Sequence, residues 1–103
     1  VQYTPIPAIE KIQVRLVNNP ALVQAQIRMG HKGIQRKNDD FVPLRVANTI
    51  LGGAFASRLM GRVRKELGLT YGISSGFDAR ADFGSFEIST FTKNETTGQA
   101  LQE

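Results

Sequence analysis

The chain has 103 residues, with 13 Lys and Arg, 9 Asp and Glu, one His, no Cys and a formal net charge of +4. That length allows one domain with a modest core, and a composition 41% hydrophobic and 21% charged is that of a folded globular chain rather than a disordered one. Without Cys there are no disulfides, thiolate metal sites or Cys nucleophiles, and a lone His31 cannot supply the His-rich ligand set of a catalytic zinc.

Residues 1–10, with Pro5 and Pro7, read as an extended lead-in or linker. They carry neither a charged n-region nor an apolar h-region, so no signal peptide is visible. The chain starts at Val1 rather than Met, which points to processing or to a longer parent. Residues 11–17 alternate, with Ile12, Val14 and Leu16 on one side, and predict a half-buried strand. Asn18-Asn19-Pro20 is a turn signal. Residues 22–29 alternate again, placing Val23, Ala25, Ile27 and Met29 inward, so an antiparallel hairpin is expected. Gly30-His31-Lys32-Gly33 is expected to break that strand.

Asp39 or Asp40 can cap the next helix, Pro43 suits its first turn, and Phe41, Leu44, Ala47 and Leu51 recur at helical spacing. Gly52-Gly53 is read as its stop, in the left-handed conformation that costs glycine nothing. A second helix is predicted over 57–67, capped by Ser57 and stopped by Gly68. Its apolar stripe is Leu59, Met60, Val63 and Leu67; Arg58, Arg62 and Lys65 lie opposite, and Arg64 flanks the stripe. Residues 70–79 alternate, with Tyr71, Ile73, Ser75 and Phe77 on one face. The other face, Thr70, Gly72, Ser74 and Gly76, is bare enough for a backbone or ligand to approach closely. A last strand spans 84–92, and Asn94 can cap a short helix running to Glu103. The order β-β-α-α-β-β-α predicts an α+β fold, an antiparallel sheet covered on one face by helices.

The chemistry-bearing groups are few. The basic run Arg58, Arg62, Arg64 and Lys65 could contact phosphates, but it has no aromatic platform or nucleic-acid fingerprint and reads as a solvated face. Gly30-His31-Lys32-Gly33 could cradle an anion, yet such a segment more often just ends a strand. Leu51-Gly52-Gly53-Ala54 lacks the Lys-Ser/Thr of a phosphate loop. Arg64 and Tyr71, seven apart, could together bind a carbonyl or an oxyanion. By chemistry alone the simpler reading is Tyr71 in the core with Arg64 stretched over its rim.

The succession Leu51-Gly52-Gly53-Ala54-Phe55-Ala56-Ser57-Arg58-Leu59, Arg64-Lys65-Glu66-Leu67-Gly68-Leu69-Thr70-Tyr71-Gly72 and Gly84-Ser85-Phe86 resembles the pitrilysin/insulinase (inverzincin) family of zinc metallopeptidases. More narrowly it is similar to the second, non-catalytic half of those proteins, over about residues 22–103. In that family two homologous halves enclose a chamber, and one half holds zinc with an inverted His-x-x-Glu-His motif. This sequence lacks the motif.

The resemblance implies that residues 11–103 are part of a non-catalytic peptidase domain, cut inside its last helix. It implies no catalytic or metal-binding residue in this chain, and substrate binding by Arg64 and Tyr71 next to a zinc held by a partner domain or subunit. The implied partners are that zinc-binding domain and a peptide substrate, with a dimer among the expected assemblies and no nucleic acid. An extracytoplasmic, periplasmic location is the first expectation. The alternatives are a non-enzymatic assembly subunit of the same fold, like the core proteins of the respiratory cytochrome complex, and a small basic nucleic-acid-binding domain.

Overall fold

A computed structural model describes residues 7–103. Part of the expected lead-in, residues 1–6, lies outside the described residues. The order is β1 (Gln24–Lys32), α1 (Phe41–Asn48) running on into a wider π-type turn (Thr49–Gly53), α2 (Met60–Glu66, wound as a π-helix), β2 (Ile73–Asp78), β3 (Ser85–Lys93) and, after a single 3-10 turn (Asn94–Thr96), α3 (Thr97–Gln102). The three strands form one antiparallel sheet in the order β1-β3-β2. This is the α+β arrangement expected, with a different first strand.

Residues 11–17 do not form a strand. They are irregular and exposed, Ile12 at 91%. The turn after them does form: Leu22 N–H donates to Asn19 O and Ala21 N–H to the Asn19 side chain. However, β1 pairs with β3 over its whole length, Gln24 with Lys93 through Lys32 with Ser85. Alternation specifies a face, not a partner. The nine-residue β3 offers β1 a longer ladder than the seven residues before the turn could. The same pairing carries β1 through Gly30-His31-Lys32, where a break was expected. Gly30 is needed there because a side chain would run into the Phe86 backbone across the ladder.

The helices lie on the sheet face that bears Ile27, Ile73, Ser75, Thr90 and Thr92, all buried. Met60, Val63, Leu69 and Ile73 make the core, with Leu59, Leu67, Ile88 and Ala100 packed against it. Val63 is 2% exposed. The predicted stripe of α2 is therefore the one that is buried, and Arg64 flanks it, half-buried.

Three end signals act differently from expectation. Asp40 stands at the start of α1, but the side chain that accepts there is Asn38, from Asp40 N–H at 2.8 Å. Ser57 accepts the Gly61 N–H through its backbone carbonyl at 2.9 Å, while its hydroxyl is buried without a partner among the described residues. Gly52 and Gly53 are not left-handed; the positive φ among the described residues belongs to Gly68, at 63°. Gly52 is required for closeness instead. A Cβ there would stand 2.8 Å from the Ser75 backbone nitrogen and 2.8 Å from Leu59 Cδ1. Asn48 secures this contact: its Nδ2 donates to Ser75 O at 2.9 Å, and Ser75 Oγ donates to Asn48 Oδ1 at 2.6 Å. The close approach thus comes on the helix-facing side of β2, not on the bare side predicted for it.

Candidate functional site

Arg64 and Tyr71 sit on either side of a sharp reversal. Gly68, with its positive φ, turns the chain out of α2; its N–H donates to Arg64 O at 3.1 Å, and Leu69 N–H donates to Val63 O at 3.0 Å. A side chain at this φ would be strained, which is why glycine ends the helix. Leu69 then drops into the core, and the chain enters β2 through Thr70-Tyr71-Gly72.

That short entry is pinned by hydroxyls. Thr70 Oγ1 donates to Gly72 O at 2.9 Å and accepts from Gly72 N–H at 3.1 Å, closing a loop around Tyr71. From β3, Thr90 Oγ1 lies 3.2 Å from Thr70 Oγ1 and 2.9 Å from Gly72 O, able to donate to either. Thr92 Oγ1 bonds Leu69 O at 2.6 Å. All three threonines are buried, so these bonds are sheltered from water. Their effect is to fix the backbone on both sides of Tyr71 while leaving its ring outside. Tyr71 is 81% exposed. This corrects the reading of Tyr71 as a core residue with Arg64 at its rim.

Arg64 is held from the other direction. Its guanidinium carbon lies 5.0 Å from the centroid of the Phe55 ring, and Lys65 Nζ lies 5.6 Å from the same centroid. Phe55 is 66% exposed, on the turn that follows Gly52-Gly53. A cation over an aromatic face at this range is attracted by the ring quadrupole, worth about 0.5–1 kcal/mol at an exposed site. Among the described residues neither Arg64 nor Lys65 has an ion-pair partner, whereas Arg62 is taken up by Glu66 and Glu103 and Arg80 by Asp78. Hydrogen bonds to these carboxylates raise the pKa of Arg62 and Arg80, holding both firmly charged. The Phe55 ring that both cations stand over lines a groove of about 470 Å³, and Gly72, next to Tyr71, lines it from the start of β2.

A guanidinium with five donors and a phenolic O–H can bind carbonyl oxygens, carboxylates or a developing oxyanion. A metal site does not fit these residues. No three His, Cys, Asp or Glu come together among the described residues. His31 is exposed on β1, its ring 5.2 Å from that of Phe86 and its Nδ1 2.8 Å from Lys32 O. No helix among the described residues is long and apolar enough to cross a membrane.

The threonines, the Asn48–Ser75 lock and Phe55 were not among the residues expected to matter. Thr90 and Thr92 carry a visible signal, since they continue the inward register of Phe86 and Ile88. Phe55 carries none beyond being a large ring in a turn.

The whole chain, residues 1–103, matches the family described as the peptidase M16 inactive domain. The chain belongs to that family. Its inactive domain is 32% identical over 74 residues to an uncharacterized zinc protease of Bacillus subtilis, covering 72% of this chain and 18% of that protein. It is 37% identical over 65 residues to one of Streptomyces coelicolor, covering 63% and 14%. Among solved structures, the inactive domain superposes on a peptidase M16 inactive domain from Pseudomonas fluorescens with a TM-score of 0.73 and 38% identity, over 77% of this chain and 19% of that one. A conserved protein from Enterococcus faecalis gives 0.69 and 26%, over 79% and 19%. The inactive domain described here therefore spans less than a fifth of the length of each of these relatives, 18%, 14%, 19% and 19%.

Proposed function

We propose that this inactive domain forms part of the wall of a zinc endopeptidase chamber, and that Arg64 and Tyr71 bind the peptide backbone beside a zinc carried by another domain or subunit. The observation that supports it most is the exposed Tyr71 phenol on a backbone pinned from both sides. Building such a rigid mount for a ring that is left in solvent makes sense if the ring has a ligand. Arg64 adds a fixed positive charge that no residue described here neutralises, in reach of a peptide carbonyl or the oxyanion it becomes. Zinc is expected from the catalytic half, because the residues here do not fit it. The relatives named zinc proteases favour an enzymatic parent over a purely structural one.

Tyr71→Phe tests this with little risk to the fold, since it deletes one exposed oxygen. In the complete protease it should lower kcat/KM about tenfold or more, the scale of one hydrogen bond to a charged group, with zinc content and Tm unchanged. An unchanged kcat/KM would remove Tyr71 from the site.

A further inference from the structure

We infer that Phe55 is a positioning residue for the proposed peptidase reaction: its ring holds the Arg64 guanidinium in the orientation that meets the substrate. This deepens the proposed function and rests on the substrate role of Arg64.

Phe55 does little for the core. It is exposed and stands outside the cluster of Met60, Val63, Leu69 and Ile73. Among the described residues its ring pairs with no other ring; the aromatic pairs are His31 with Phe86 and Phe77 with Phe86. Two cations meet it instead, Arg64 at 5.0 Å and Lys65 at 5.6 Å from the centroid. What the ring offers them is the negative potential of its face.

The turn that carries the ring is clamped at both ends. Upstream, Gly52 packs against the Ser75 backbone, and a Cβ on Gly53 would stand 2.9 Å from Asn48 Nδ2. Asn48 is itself bonded to Ser75 of β2. Downstream, Ser57 N–H donates to Ala54 O at 3.0 Å, and Ser57 O accepts from Gly61 N–H at 2.9 Å, which ties the turn to α2. Phe55 therefore stands on backbone fixed to both the sheet and α2.

Arg64 is the opposite case. Its side chain has many rotors and no carboxylate partner among the described residues. Such a side chain spreads over many rotamers, and ordering it costs entropy when the substrate binds. Side chains on a helix lean toward its N-terminus, and the Phe55 turn precedes α2, so the ring meets Arg64 along its ordinary direction. A planar guanidinium can lie over an aromatic face and keep its N–H edges open to a substrate oxygen. Lys65 presents a compact ammonium without a plane, so the ring attracts its charge without orienting it. Phe55 acts through Arg64 and touches no substrate itself.

The test is steady-state peptide hydrolysis by the complete protease carrying Phe55→Leu or Phe55→Tyr, each alone and combined with Arg64→Ala. Leucine keeps the apolar bulk without a ring face; tyrosine keeps the face. Phe55→Leu should lower kcat/KM about three- to tenfold, and Phe55→Tyr should stay within about twofold of the parent. With Arg64→Ala present, Phe55→Leu should cause no further loss, because the ring then has no guanidinium to orient. No loss from Phe55→Leu, the same loss from Phe55→Tyr, or the same loss with and without Arg64 would overturn the inference. If Arg64→Ala lowers kcat/KM while Phe55→Leu does not, the positioning role alone falls. If Arg64→Ala leaves kcat/KM unchanged, the substrate role of Arg64 falls and this inference with it.

Discussion

Replacing Arg64 with alanine in the complete protease should lower kcat/KM by about a hundredfold or more, with zinc retained and the fold intact. The size follows from what the guanidinium is proposed to meet. A donor aimed at charge that develops in the transition state is worth about 10²–10³ in rate when it is deleted. Arg64 is not shared with any carboxylate among the described residues, so its guanidinium is available to a substrate. The structural cost is small by comparison. Arg64 is only half-buried, and its contact with the Phe55 ring is worth about 0.5–1 kcal/mol. Arg64→Lys keeps the charge but loses the planar fork, so it should recover part of the lost rate. The measurement is steady-state hydrolysis of a peptide, with zinc content and thermal unfolding alongside. A kcat/KM within twofold of the parent would exclude Arg64 from substrate binding.

The largest effect on stability is expected at Gly52. A methyl group there would press on the Ser75 backbone nitrogen and on Leu59 Cδ1, each 2.8 Å away. Backbone in the middle of a paired strand cannot yield as a side-chain tip can. The Asn48–Ser75 bonds, moreover, hold α1 against β2 at this point. Overpacking of this kind costs about 1–3 kcal/mol, a large share of the roughly 5–15 kcal/mol that stabilises an ordinary domain. Gly61→Ala is the matched comparison. It too lies within a helix, but nothing stands within 4 Å of its missing Cβ. There the better helix propensity of alanine should add about 0.5–1 kcal/mol. Urea unfolding should therefore move the midpoint down for Gly52→Ala and up for Gly61→Ala. Equal shifts would mean that the contact with Ser75 does not govern the site.

The buried stripe of α2, the turn at Gly68 and the alternation of β2 and β3 were legible because each is a local pattern. Leu59, Met60, Val63 and Leu67 repeat at helical spacing, and the core forms where they point. Strand pairing was not legible in the same way. Residues 11–17 alternate as cleanly as residues 22–29, but among the described residues only the latter meet a partner, and that partner lies some sixty residues on in the sequence. The Gly52-Gly53 pair was recognised but given the wrong reason: sequence shows that a side chain is missing, not which neighbour requires it. Tyr71 was misplaced for a related cause. Alternation put it on the Ile73 face, but β2 begins only at Ile73, and the threonine bonds turn the preceding residue outward. Arg64 and Tyr71 stood out as a pair seven residues apart, but only the family resemblance gave them a substrate role over the simpler packing one. Phe55, which holds the guanidinium, becomes visible only once the turn after α1 and the end of α2 are side by side.

The proposed role is that of the non-catalytic partner in a zinc peptidase, contributing groups for the substrate and none for the metal. The most direct measurement is the zinc bound per chain after the 103-residue protein is equilibrated with excess zinc and desalted. The expected result is far below one zinc per chain, since the single His31 lies outside any cluster of three His, Cys, Asp or Glu among the described residues. One tightly held zinc per chain would contradict the claim.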